Sequence, residues 1–195
     1  MRKASIKRTT KETDISLSLA ILEYGKKGSF TGTSGIGFFD HMLCAFASHG
    51  GFDITLECCG DLEVDGHHTV EDIGIVLGAA FKEAAGDTKG IKRFSDILMP
   101  MDEALVMCAV DFSSRAFLAF DSDFKAAMIG DYDTQLTVEF MRAFATNAGI
   151  TLHLKTMYGE NDHHKTEALY KACGRCVGDA LSVVSDEIMS TKGVL

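Results

Sequence analysis

Apolar positions change period several times along the chain, and each change marks a candidate element. "DISLSLAILE" (14–23) and "FDITLECC" (52–59) alternate apolar with polar residues, the pattern of strands with one buried face. "ALVMCAVDF" (104–112) and "AFLAFD" (116–121) repeat that alternation past the midpoint. "DHMLCAFASHG" (40–50) and "TVEFMRAFATNAG" (137–149) carry apolar residues at helical spacing and end on Gly or Asn-Ala-Gly, which stop helices. Two further helices follow. Ile73, Val76, Leu77, Ala80 and Ala84 line one face of the first, and Leu169, Cys173, Cys176 and Ala180 line the second. These elements predict an α+β fold of two mixed layers rather than βαβ units throughout.

The order of elements also repeats. "AFASHGGFDITLE" (45–57) aligns with "AFATNAGITLH" (143–153) when Phe52 and Asp53 are skipped. Carried on without another gap, the alignment sets His67 against His163, His68 against His164 and Glu71 against Glu167. The chain therefore reads as one domain, residues 1–195, built by internal duplication from repeats of about 1–95 and 96–195. The only proline, Pro100, sits near the joint.

The duplicated His-His-x-x-Glu motif carries the chemistry. At about 100° per residue, Glu71 falls between His67 and His68 on a helical wheel, opposite the apolar stripe. The second copy does the same, with Lys171 near its ligand-like residues. Each helix thus turns a metal-binding face away from its own core. Adjacent imidazoles pointing about 100° apart suit two separate ions rather than one. The repeat alignment adds His41 and, opposite it, Glu139. The candidate ligands are His41, His67, His68, Glu71, Glu139, His163, His164 and Glu167. That set holds nitrogen and oxygen donors and no thiolate, which favours manganese or iron over structural zinc. Of the other histidines, His153 aligns with Glu57 and reads as a strand residue.

Composition narrows the partners. A formal net charge of −9 argues against a nucleic-acid binder, which needs a basic surface, yet permits a small phosphorylated ligand. No apolar run approaches a membrane span, and "MRKASIKRTTKET" has no apolar segment behind it, so a soluble cytoplasmic protein is expected. Six cysteines without a paired zinc pattern fit small core residues in a reducing compartment, including Cys173 and Cys176 of the lone C-x-x-C. "TGTSGIGFFDH" (31–41) lacks a phosphate-loop pattern and reads as a flexible loop.

At these residues the sequence closely resembles the imidazoleglycerol-phosphate dehydratases. The likeness runs through "KRTTKET", "FFDHMLCAFASHG", "GDLEVDGHHTVEDIGIVLG", "GIKRF", "DFSSRAF", "AFATNAGITLHLKTMYGENDHHKTEALYKACGR" and "STKGVL". It implies two half-domains, each a four-stranded sheet with two helices packed on one face, as in the ribosomal protein S5 domain 2-like fold. It also implies a 24-subunit homo-oligomer with two Mn2+ ions per active site, the sites being shared between subunits.

The implied reaction is the dehydration of D-erythro-imidazole glycerol phosphate to imidazole acetol phosphate in histidine biosynthesis. An imidazolate held between two ions would serve as electron sink. Glu12 maps to the proton shuttle, and Glu71 and Glu167 join it as catalytic residues at the metals. Substrate contacts map to Glu12, His49, Arg93, Arg115, Lys171, Ser190 and Lys192. Some positions depart from the family. Ala45 stands where glutamine is common and Ser114 and Ala116 where Gly and Pro are usual. Glu139 takes the place of a histidine in some members, and Glu63 stands where histidine is frequent. The alternative chemistry is a dinuclear phosphate-ester hydrolase. Such sites lean on aspartates, whereas Asp40, Asp65, Asp72 and Asp162 lie outside the ligand set. A metal-storing shell protein would not need Glu12, Arg93, Arg115 and the tail together.

Overall fold

The structure, a computed structural model, describes residues 2–191. A hairpin of β1 (Arg2–Thr9) and β2 (Thr13–Ile21) leads into β3 (Ser29–Gly32), α1 (Gly37–Gly50), β4 (Phe52–Gly60) and α2 (His67–Ala85). The second half runs β5 (Phe94–Met101), β6 (Ala104–Asp111) and β7 (Phe117–Asp121), then a small hairpin of β8 (Met128–Ile129) and β9 (Tyr132–Asp133). It closes with α3 (Leu136–Ala148), β10 (Thr151–Tyr158) and α4 (Asp162–Ala180). The sheets have one topology, β1-β2-β4-β3 and β5-β6-β10-β7. All neighbours are antiparallel except β3–β4 and β7–β10, which are parallel. The duplication seen in the sequence is thus a duplication of fold, and the α+β class holds. Among the described residues the β8–β9 hairpin has no counterpart in the first half.

Strand alternation sets the layers. Along β2, Thr13, Ile15, Leu17, Leu19 and Ile21 are buried while the residues between them face outward. Each sheet carries its two helices on the buried face; between the sheets α2 packs on α3 and α1 on α4. The order is therefore sheet, helices, helices, sheet. That arrangement demands close helix approach. A Cβ on Gly78 would stand 2.5 Å from the Phe144 carbonyl oxygen, and one on Gly178 2.1 Å from that of Gly50. Both contacts cross between the halves, so neither helix pair tolerates a side chain there.

One apolar core spans both repeats. Phe46, Phe81 and Phe144 meet edge to face at interplanar angles of 79–90°, the geometry ring quadrupoles favour. Cys108, Cys173 and Cys176 are buried free thiols, so the C-x-x-C is core packing. His153 is an exposed residue of β10. The glycine-rich stretch 31–41, expected to be a flexible loop, is not one: Thr31 and Gly32 end β3, Gly37–His41 open α1, and only 33–36 form a loop, itself tethered. Asp40 accepts hydrogen bonds from the Thr33 hydroxyl at 2.6 Å and from the Ser34 backbone and hydroxyl at 2.7 and 2.6 Å. No helix among the described residues is long and apolar enough to cross a membrane.

Candidate metal and substrate site

Helices α1 and α4 run side by side in the same direction, since His41 meets Glu167 at one end and Gly50 meets Gly178 at the other. This packing brings His41 of the first repeat to the second His-His-x-x-Glu copy. Glu167 Oε2 lies 3.2 Å from His163 Nε2 and 3.6 Å from His41 Nε2. The donor atoms of His41, His163 and Glu167 all fall within 4.8 Å of one another. Lys171 Nζ stands 2.5 Å from the other oxygen of Glu167. Burial raises the Glu167 pKa, but Lys171, with His41 and His163, outweighs it and leaves the group below its ordinary value, a carboxylate. Glu167 is only 7% exposed. The wheel pointed it away from its own core, and α1 of the other repeat is what covers it.

The neighbouring histidine serves a different set. His164 Nδ1 lies 2.6 Å from Glu103 Oε2 and Nε2 lies 3.5 Å from Asp102 Oδ2. The His163 and His164 rings stand at 78°, so adjacent imidazoles do address separate partners. Asn161 opens the helix by accepting from the backbone N–H groups of His163 and His164. Glu103 in turn accepts from the backbone N–H of Asn161 at 2.8 Å and of Glu160 at 3.1 Å. The Asn161 bond, then His164, hold its carboxyl down to about 2. The hydrogen bond to Glu103 raises the His164 pKa.

The first copy is built alike. His67 Nε2 stands 3.7 Å from Glu71 Oε2. His68 Nδ1 lies 2.9 Å from Asp61 and its Nε2 3.8 Å from Glu12. The Asp61 bond raises the His68 pKa, and the two rings stand at 81°. Glu139 occupies the α3 position matching His41 on α1, yet it ion-pairs with Arg142 one turn on. Among the described residues no ring contact links His67 or His68 to the second copy. Every donor gathered here is imidazole nitrogen or carboxylate oxygen, with carboxylates facing Nε2 atoms. Such a set fits divalent manganese.

The substrate-contact candidates divide in two. His49, at the end of α1, has its pKa lowered by burial and then by Lys171 and Arg175, which places it on the Lys171 side. Arg93 and Arg115 gather elsewhere, around Asp111 on the outward register of β6. Arg93 Nε donates to Asp111 at 2.8 Å and Arg115 Nη2 at 3.4 Å. Arg93 Nη1 also donates to the Met189 carbonyl at 2.7 Å, drawing in the tail beside Ser190. Lys192 lies outside the described residues. The Arg93 amide donates to the carbonyl of Ala180, thirteen residues beyond Glu167 and about 20 Å along α4.

Sequence reasoning missed Asp61, Asp102 and Glu103. Its one available signal was position. "PMDEA" is the β5–β6 turn, the counterpart of the β1–β2 turn that carries Glu12.

Comparisons with known proteins identify the family and the fold. A family model described as "Imidazoleglycerol-phosphate dehydratase" matches residues 34–177. An imidazoleglycerol-phosphate dehydratase of Carboxydothermus hydrogenoformans is 53% identical over 195 residues, covering 100% of both chains. Another, of Thermoanaerobacter sp. (strain X514), is 55% identical over 197 residues with the same coverage. Among solved structures, the imidazoleglycerol-phosphate dehydratase of Staphylococcus aureus subsp. aureus N315 superposes with a TM-score of 0.83 at 35% identity, covering 93% of this chain and 99% of that one. The IGPD of Pyrococcus furiosus in complex with (S)-C348 gives 0.81 at 40%, covering 97% and 100%.

Proposed function

The chain belongs to the imidazoleglycerol-phosphate dehydratase family, and from that premise we propose how its residues divide the work of this hydro-lyase of histidine biosynthesis. The two repeats form one catalytic unit, and its substrate is imidazole glycerol phosphate. A proton leaves one carbon of the glycerol chain, hydroxide leaves the next, and the resulting enol becomes the ketone of imidazole acetol phosphate. His41, His67, His68, Glu71, Glu139, His163, His164 and Glu167 are the residues that would hold two Mn2+ ions. Bound there, the ions supply Lewis acidity that stabilises negative charge on the substrate's imidazole ring.

Glu12 is half exposed at the mouth of the first copy, 3.8 Å from His68 Nε2. Among the described residues no side chain hydrogen-bonds its carboxylate, and it moves the protons between substrate carbon, leaving hydroxyl and solvent. Glu167, its pKa held down by Lys171, His41 and His163, stays ionised at the second copy, and Glu71 stands 3.7 Å from His67 in the first. Lys171 and His49 meet the phosphate from one side, and Arg93, Arg115, Ser190 and Lys192 meet it from the other.

One observation carries this reading furthest. The metal-type cluster and the arginine corner lie far apart on a single chain, at opposite ends of α4. An imidazole joined by three carbons to a phosphate spans only about 10 Å. A neighbouring subunit that brings its corner to this chain's cluster would close the gap, which supports a homo-oligomer with shared sites; the number of copies, 24, rests on the family resemblance. The outer face of the second sheet supports this. Phe94, Leu98 and Phe117 are exposed there, whereas the matching face of the first sheet shows Lys3, Ser5, Lys7, Thr55 and Glu57. Six free thiols fit work in the reducing cytoplasm.

A dinuclear phosphate-ester hydrolase is disfavoured. Asp72 is committed to Arg8 and Thr13, Asp162 to Lys165, and Asp40 to its loop. The deciding experiment gives metal-stripped protein the substrate with and without Mn2+. Manganese-dependent imidazole acetol phosphate supports the assignment. Release of inorganic phosphate instead would transfer it to the hydrolase.

A further inference from the structure

The second histidine of each pair has a carboxylate on its Nδ1, at 2.9 Å for Asp61 and His68 and at 2.6 Å for Glu103 and His164. Among the described residues no such partner sits on Nδ1 of His41, His67 or His163. A carboxylate only accepts, so the ring nitrogen facing it carries the hydrogen. The neutral ring then keeps its lone pair on Nε2, the atom that faces Glu12 in one copy and Asp102 in the other.

The duplication does not explain these two carboxylates. Asp61 follows β4, and the residue matching it in the second repeat is Met157, which is exposed and apolar. Glu103 instead comes from the two-residue β5–β6 turn, between the paired Met101 and Ala104. That turn sets Asp102 at φ +48°, a left-handed conformation costly for a residue other than Gly. The matching turn of the first repeat holds Glu12, which points at Nε2 rather than Nδ1. So the two repeats meet one requirement from different elements, and in the first repeat this leaves the turn carboxylate off Nδ1, facing Nε2 at 3.8 Å. Glu103 is also fixed from behind, because its other oxygen accepts from the Glu160 and Asn161 backbone.

We propose that Asp61 and Glu103 are positioning residues that lock His68 and His164 in the Nδ1–H tautomer, presenting Nε2 as the ligand atom. The inference rests on the metal-binding reading above, but its first half, the tautomer, is a property of the metal-free protein.

Glu103→Gln separates positioning from mere support. The Gln carbonyl oxygen can keep the two backbone bonds, which turns its amide N–H groups toward His164 Nδ1 and makes that nitrogen an acceptor. The ring should then switch to Nε2–H. Nitrogen-15 histidine spectra of metal-free protein should show Nδ1–H for His164 in the wild type and Nε2–H in E103Q, with circular dichroism unchanged. Titration calorimetry with Mn2+ alone should show binding about 10–100-fold weaker in E103Q, the usual size of such outer-shell losses, and likewise in Asp61→Ala. Glu57→Ala, on the outer face of β4, should bind as the wild type does. The proposal falls if E103Q keeps the wild-type tautomer or binds Mn2+ with wild-type affinity, as a purely structural glutamate would allow. A wild type that shows the Nδ1–H tautomer yet binds no Mn2+ would sink the metal reading and leave the tautomer assignment standing.

Discussion

At the scale of single residues, position and chemistry separate cleanly at Glu12 and Ser114. Glu12 touches the site only through a 3.8 Å approach to His68, so replacing it with Gln should leave metal binding nearly intact while removing the proton carrier. We expect E12Q to lose about 10²–10⁴-fold in kcat, the usual worth of a general acid–base group, with Mn2+ content unchanged by elemental analysis. An active E12Q would clear Glu12 of that role. Ser114 sits at φ +58°, in the left-handed region, where the family usually places Gly. Ser114→Gly relieves strain of about 1–2 kcal/mol but frees the unfolded chain, so a net gain below about 1 kcal/mol should appear in thermal melts. Neither conformation is visible in sequence. The departure from Gly is, and φ gives it a meaning.

At the scale of elements, the helix starts that build the site are held by groups remote in sequence. The first amides of α1, at Gly37 and Phe38, donate to Asp131 between β8 and β9 at 2.8 and 3.2 Å. Asp131→Ala should therefore cost about 1 kcal/mol and loosen His41, measurable by urea unfolding. At α4 the buried Asp162 lies 2.5 Å from the buried Lys165, and it accepts from the amides of Lys125 and Ala126. Burial raises the Asp162 pKa, but Lys165 and those amides outweigh it, and the folded value lies below the ordinary 3.8. A depressed carboxylate stabilises fully above its unfolded pKa and loses that stabilisation as pH falls through the folded value. Asp162→Asn should cost about 3–5 kcal/mol near neutral pH, since Lys165 is left buried and unpaired, and this gap to wild type should narrow below about pH 3.8. A pH-independent gap would refute the ion-pair account. Periodicity located all four long helices, because burial of one face is a local pattern. It was blind to Asp131, Asp61 and Glu103, whose roles depend on which loop arrives from elsewhere.

At the scale of the whole molecule, the repeat alignment put His41 in the candidate ligand set but did not say which repeat's motif it joins. The folded chain answers that α1 of the first half leans on α4 of the second, and Phe46 backs onto Gly174 along that seam. Duplication was legible because both copies kept their buried faces. The pairing of halves was not, since it depends on glycine-cleared helix faces meeting across the core. One level higher, the arginine corner stands at the far end of α4 from the cluster, and this separation makes a subunit-mixing experiment decisive. Glu167→Gln disables the cluster without changing side-chain size, and Arg115→Ala disables the corner at an exposed side chain whose contact among the described residues is Asp111 at 3.4 Å. Each variant alone should be nearly inactive. Co-expressed with distinct tags and purified as hybrids, they should regain activity, because some sites combine an intact cluster from one copy with an intact corner from the other. Random assembly at equal dose leaves about one site in four whole. If each chain instead completes its own site, no hybrid site is whole and the mixture stays as inactive as its parents.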